Sequence, residues 1–191
     1  MPLLTPYRVL DLTDERGQLA GMILGDLGAD VLRIEPPTGS PARRAAPRLA
    51  DGPESERSLC FAAYERNKRS VVLDLERAAD RERLLALIAG ADFVLDSGPP
   101  SVLDGAGLGF ERLRESNDRL VHVRVTPFGE DGPWAGRPCA DLTIAALGGP
   151  VSLQGDADRA PVRLSVPQVW RHVGAEAAVA ALVGHARMRT T

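Results

Sequence analysis

Apolar positions along this chain change their period several times, and each change marks an element. Val9, Leu10 and Leu12 form a short apolar run, Leu19, Ile23, Leu24 and Leu27 recur near helical spacing, and Val31, Leu32 and Ile34 form a second run. The pattern predicts strand, helix, strand over residues 8–37. Gly28 is expected to stop the helix, and Pro36 and Pro37 the second strand, because proline brings no amide hydrogen to a ladder. A parallel pair joined by a crossover helix is the seed of an open α/β sheet, whose ligands sit beyond the carboxyl ends of the strands. A site is therefore expected near residues 13–18 and 35–39.

The rhythm repeats downstream. Residues 38–56, rich in proline, arginine and small side chains, show no period and predict a loop over the sheet edge, with Arg43, Arg44 and Arg48 as phosphate candidates or merely solvated charges. SVVLDL at residues 70–75 predicts a strand, with Arg66, Lys68 and Arg69 grouped at its entrance. Leu84, Leu85, Leu87 and Ile88 predict a helix over residues 78–89 closed by Gly90, and residues 93–95 a buried strand. Glycines and prolines make residues 97–109 a loop, followed by a short helix at 110–115 and a strand at 120–125 in which His122 reads as a packed side chain.

Residues 127–138 predict a second glycine and proline loop, with Trp134 packing. Asp141 is expected to cap a helix over 142–147. A loop over residues 148–160 then leads to residues 162–166. Residues 173–186 predict a helix that is apolar nearly all round, with Gly174, Ala177, Ala178, Ala181 and Gly184 allowing close approach of another element. Such a helix needs neighbours on all sides. The sequence ends at HARMRTT without a glycine cap or following strand, so it is expected to be part of something longer.

At 191 residues, 44% hydrophobic and 26% charged, the chain has room for one sizeable core and does not read as disordered. A formal charge of −3 speaks against a nucleic-acid module. Lys68 is the sole lysine, so anion contacts would mostly be guanidinium forks. Cys60 and Cys139 lack metal-like spacing and are expected to be reduced, and no apolar run approaches the roughly 20 residues of a bilayer span, so a cytoplasmic protein is expected.

Glu35 ends the second strand about where a dinucleotide-binding fold keeps its ribose-holding acid, but the turn TDERGQLAG lacks G-x-G-x-x-G, so the backbone lacks the glycines that admit a pyrophosphate. No P-loop, G-x-S-x-G or H-E-x-x-H is present either. The order of VLDLT, DLGADVLRIEPP, NKRSVVLDL, GLGFERL, FGEDGP and GAEAAVAAL instead resembles family III CoA-transferases, the CaiB/BaiF type, over residues 8–189 and in their amino-terminal half only.

That resemblance implies a Rossmann-like open parallel sheet flanked by helices, the large domain of an interlocked dimer, with residues 1–191 lacking the small domain and returning tail. It also implies transfer of CoA from an acyl-CoA to a carboxylic acid, with an aspartate carrying the acyl group as a mixed anhydride. The CoA contacts it implies are Arg66, Lys68, Arg69, Gln18 and Arg43. Aligning PVRLSVP with the family's PVRVGVP-like strand, which implies a strand at residues 162–166, puts the nucleophilic aspartate's position on Trp170, and indole forms no anhydride. The loop that commonly reads ENFRPG is DSGPPS at residues 96–101, the lysine often found after LDL is Glu76, with Arg77 beside it as a substitute, and Ala140 stands where the racemase branch keeps a histidine before its aspartate. A chain with the fold of the family and a degenerate active site is expected, no catalytic residue being assigned. It would act as a non-catalytic half, as a partner in a homo- or hetero-oligomer, or as a CoA-binding scaffold.

Overall fold

The computed structural model describes residues 2–98 and 101–190. Its elements run β1 (Arg8–Asp11), α1 (Gln18–Asp26), β2 (Asp30–Glu35), α2 (Leu59–Glu65), β3 (Arg69–Val72), α3 (Ala78–Ile88), β4 (Phe93–Ser97), α4 (Val102–Gly105), α5 (Phe110–Ser116), β5 (Val121–Val125), α6 (Asp141–Leu147) and α7 (Gln168–Met188). The strands form one parallel sheet in the order β3-β2-β1-β4-β5, with Val9 level with Val31 on one side and Phe93 on the other. This is the Rossmann-like α/β architecture expected from the alternation of elements.

Successive strand residues point to opposite faces, and each face has its own helices. Val9, Val31, Phe93 and Leu95 pack against Ala20 and Leu24 of α1 and Ala177, Ala178 and Ala181 of α7. Leu10, Ile34 and Val94 pack against Leu84 and Ile88 of α3, Leu103 of α4 and Leu113 of α5. Gly28, at φ +106°, ends the turn after α1 in a conformation that costs glycine little. The small residues of α7 do admit a neighbour: a Cβ on Gly174 would lie 2.8 Å from that of Leu19. The chain itself buries only one side of α7, and Val179 and Val183 stay exposed. No helix among the described residues is long and apolar enough to cross a membrane.

Several expectations need correction. Residues 162–166 form no strand, since alternation supplies no neighbouring edge, and Val162, Leu164 and Val166 are exposed. The polar entrance to β3 is preceded by a helix, α2, nucleated by Ser58, whose hydroxyl accepts from the Phe61 amide at 3.1 Å. The 97–109 segment contains the single turn α4, whose first amides, at Leu103 and Asp104, are met by Ser101 Oγ; its Pro99 and Pro100 lie outside the described residues. Residues 38–56 hold two short 3-10 turns, Pro41–Arg44 and Glu54–Glu56. Trp134 stays half-exposed, edge-on to Phe128 and under the Arg137 guanidinium.

Candidate functional site

The carboxyl ends of the strands open into a cleft of about 1050 Å³. Thr13, Asp14 and Arg16 follow β1, Arg33 to Thr38 come from the end of β2 and its loop, Leu73 to Glu76 follow β3, Ser97 ends β4, and Val102 and Gly105 of α4 close the side. The cleft spans the point where β1 meets β4 and the strand order reverses, the place such sheets keep their ligands. Both segments singled out from the sequence, 13–18 and 35–39, contribute to it.

Charge on the cleft wall is mostly paired. Arg16 holds the Asp14 carboxylate and donates to Gly98 O at 3.0 Å. Glu35 is 2% exposed and accepts from Arg43 through two bonds of 2.6 Å, from Ser70 Oγ, and from the Ser40 amide at 3.0 Å. Burial opposes its charge, but these donors outweigh it and pull the Glu35 carboxyl down to about 2. With its lone pairs so occupied, Glu35 has nothing to offer a ribose hydroxyl. Arg81 is different: it spends one nitrogen on Leu75 O and Glu76 O, both at 2.8 Å, and meets no carboxylate. Among the described residues it is the lining arginine with an unopposed charge.

None of the five residues expected to grip CoA lines this cleft. Arg43 stands behind it, clamped to Glu35 and stacked 4.1 Å over Phe61. Gln18 is buried at the start of α1, its Oε1 without a partner. The Lys68 side chain is 1% exposed, its ammonium 2.7 Å from Asp11 Oδ2, 2.8 Å from Glu65 Oε2 and 2.8 Å from Gln18 O. Arg66 pairs with Asp26 at the end of α1, and Arg69 with Asp30 at the amino end of β2, away from the carboxyl ends of the strands. Arg77 is exposed and does not line the cleft, whereas Arg81, one helical turn on, does. The sequence did carry signals for the residues missed: Arg33 interrupts the apolar run of β2, and Arg81 lies four residues beyond the noted Arg77.

The sequence profile of CoA-transferase family III matches residues 4–191. The chain belongs to that family. It is 42% identical over 178 residues to the succinyl-CoA:(R)-benzylsuccinate CoA-transferase subunit BbsE of Thauera aromatica, covering 93% of this chain and 43% of that one. It is 36% identical to the succinyl-CoA:mesaconate CoA-transferase of Haloarcula hispanica, covering 86% and 43%. The crystal structure of a CAIB/BAIF family protein from Brucella suis superposes with a TM-score of 0.89 at 33% identity, over 97% of this chain and 50% of that one. The chain thus spans about half the length of these relatives.

In this family III chain, the position that the resemblance gives to the acyl-carrying aspartate lies in the first turn of α7. Trp170 is 7% exposed there and lines neither the main cleft nor the smaller apolar cavity beside it. Contrary to expectation, Asp141 caps not its own helix but the next one: its Oδ1 accepts from the Trp170 amide at 3.0 Å, while the Ala140 amide at the start of α6 is met by Thr143 Oγ1. His122 is packed as expected, stacked on Phe110.

Proposed function

We propose that this chain is the CoA-binding, non-catalytic half of a family III CoA-transferase, completed by a second chain or a second domain that supplies the acyl-carrying carboxylate. The observation that carries the reading is Trp170, a buried ring in the first turn of α7 where the family resemblance calls for an aspartate. The cleft is kept, with Arg81 free to meet a nucleotide phosphate and Arg16 at its rim. Leu142, Leu147, Leu153 and Val183 are exposed apolar side chains on and around α6 and α7 that a partner subunit would cover. A subunit role is also how the relative from Thauera aromatica is described. Two unpaired cysteines suit a reducing cytoplasm.

Calorimetric titration of the purified chain with CoA, together with a transfer assay offering succinyl-CoA and a panel of carboxylic acids, tests the reading. CoA is expected to bind and no transfer to occur. Turnover by the chain alone refutes the non-catalytic half, and absence of binding refutes the retained cleft. A nucleotide-binding scaffold without any role in transfer is the second reading, favoured by the pairing of most cleft charges within the chain. It predicts that no acyl-carrying family partner restores transfer on mixing.

A further inference from the structure

Beneath the cleft lies a buried quartet of charges with no counterpart elsewhere among the described residues. Asp11 and Arg33 come from adjacent strands on the face covered by α1, Glu65 from α2 and Lys68 from the turn into β3, and the four side chains are 0% to 5% exposed. Asp11 stands at its centre. Its Oδ2 accepts from Lys68 Nζ at 2.7 Å, and its Oδ1 accepts from the Thr13 amide at 2.9 Å, from Thr13 Oγ1 at 2.7 Å and from Arg33 Nη1 at 3.1 Å. Arg33 Nη2 continues to Ser40 Oγ at 3.0 Å. Thr13, Arg33 and Ser40 all line the cleft; Lys68 and Asp11 do not.

We infer that Lys68 is a positioning residue for the cleft, acting on a bound ligand through Asp11, Thr13 and Arg33 rather than by touching a phosphate. The inference rests on the cleft being the CoA site. Burial would push the Asp11 carboxyl up, and Lys68 and Arg33 beside it reverse this and hold it below its usual range, so Asp11 stays an anion that fixes two wall residues. Remove the ammonium, and Asp11 and Glu65 are left to share the Arg33 guanidinium. Burial, with Asp11 adding to it, already raises the Glu65 carboxyl against the pull of Arg33 and Lys68. Arg33 would then turn toward the two acids and away from Ser40. Helix α1 seals the pair from above: a Cβ on Gly21 would fall 2.3 Å from Asp11 Oδ2 and 3.0 Å from Lys68 Nζ. That close lid leaves no room for a ligand at Lys68, nor for the wider fork of an arginine.

The test uses the whole chain and exploits Lys68 being its only lysine. Reductive methylation of the folded protein is expected to leave Lys68 unmodified both with and without CoA. Lys68→Met and Lys68→Arg are both expected to weaken CoA binding on the order of tenfold, the loss from misdirecting one charge-assisted hydrogen bond. Both should also shift the Arg33 Nε–H resonance, visible because that nitrogen is buried without a partner. A Lys68→Arg chain that binds CoA like the wild type overturns the inference, since a phosphate grip accepts either cation. So does methylation of Lys68 that CoA blocks. Should the wild type not bind CoA, the functional reading fails separately, and an unmoved Arg33 resonance in the variants overturns the positioning role. Should neither variant fold, the methylation result on the wild type decides.

Discussion

Replacing Glu35 with glutamine should flatten the acid sensitivity of this chain by an amount that follows from its contacts. The Glu35 carboxylate is held by Arg43, Ser70 and the Ser40 amide, and its folded value of about 2 lies well below the ordinary 4.5. A carboxyl depressed on folding stabilises the folded state above its unfolded value, and that stability is lost as pH falls through the folded value. At about 1.4 kcal/mol per pH step, the full contribution is about 3 kcal/mol near neutrality, and roughly 2 kcal/mol of it is gone by pH 3. Partial exposure of Arg43 trims this modestly through solvent screening. Urea unfolding of both proteins at pH 6, 5, 4 and 3 measures the effect as a difference, so the other titrating groups that the two share largely cancel. The gap between wild type and Glu35→Gln should narrow by about 2 kcal/mol from pH 6 to pH 3. Curves that run parallel across that range would show that the Arg43 clamp does not hold in solution.

Three further outcomes follow from the same geometry. Trp170→Asp should destabilise the chain by about 3–5 kcal/mol in urea, the range for emptying a buried tryptophan site, and should yield no CoA transfer by the chain alone. Asp141→Ala should cost about 1 kcal/mol by removing the acceptor for the Trp170 amide, with Asp141→Asn recovering most of it on the same denaturation curve. The His122 imidazole should remain neutral down to about pH 5 by NMR titration, because burial first and Arg124 second depress it from 6.5 to about 4, so stability from this group is full above 6.5 and is lost as pH falls toward 4. An NMR midpoint near 6.5 would contradict its packing.

The sheet was legible because strands buried on both faces read as unbroken apolar runs, as in Val9, Leu10 and Phe93 to Leu95. Topology then located the cleft without any motif. The short helix α2 was not legible: LCFAAYE is too brief to show a period, and its start depends on a single serine hydroxyl. Residues 162–166 misled for the converse reason, since their alternation is real but meets no strand edge. The cations of the site were the least legible part. Charge density drew attention to Arg66, Lys68 and Arg69, yet their partners Asp26, Asp11 and Asp30 lie about forty or more residues away, a pairing that no local spacing displays.

With Trp170 at the position that the family resemblance gives to the acyl-carrying aspartate, Asp141, bonded to the Trp170 amide, is the candidate to take over the acyl group. The start of a helix favours negative charge, and in this chain the charge there comes from Asp141, reaching across from α6 to the third amide of α7. Acylating Asp141 would turn that anion into a neutral anhydride and weaken the cap on the helix at the moment the intermediate formed. Its contact is thus suited to a permanent charge and not to one consumed in each cycle. Asp141 lines a small adjoining cavity, about 60 Å³, and does not line the main cleft that Arg81 lines. An acid committed to holding a helix start is the arrangement expected under the proposal that acyl transfer is left to a second chain or domain.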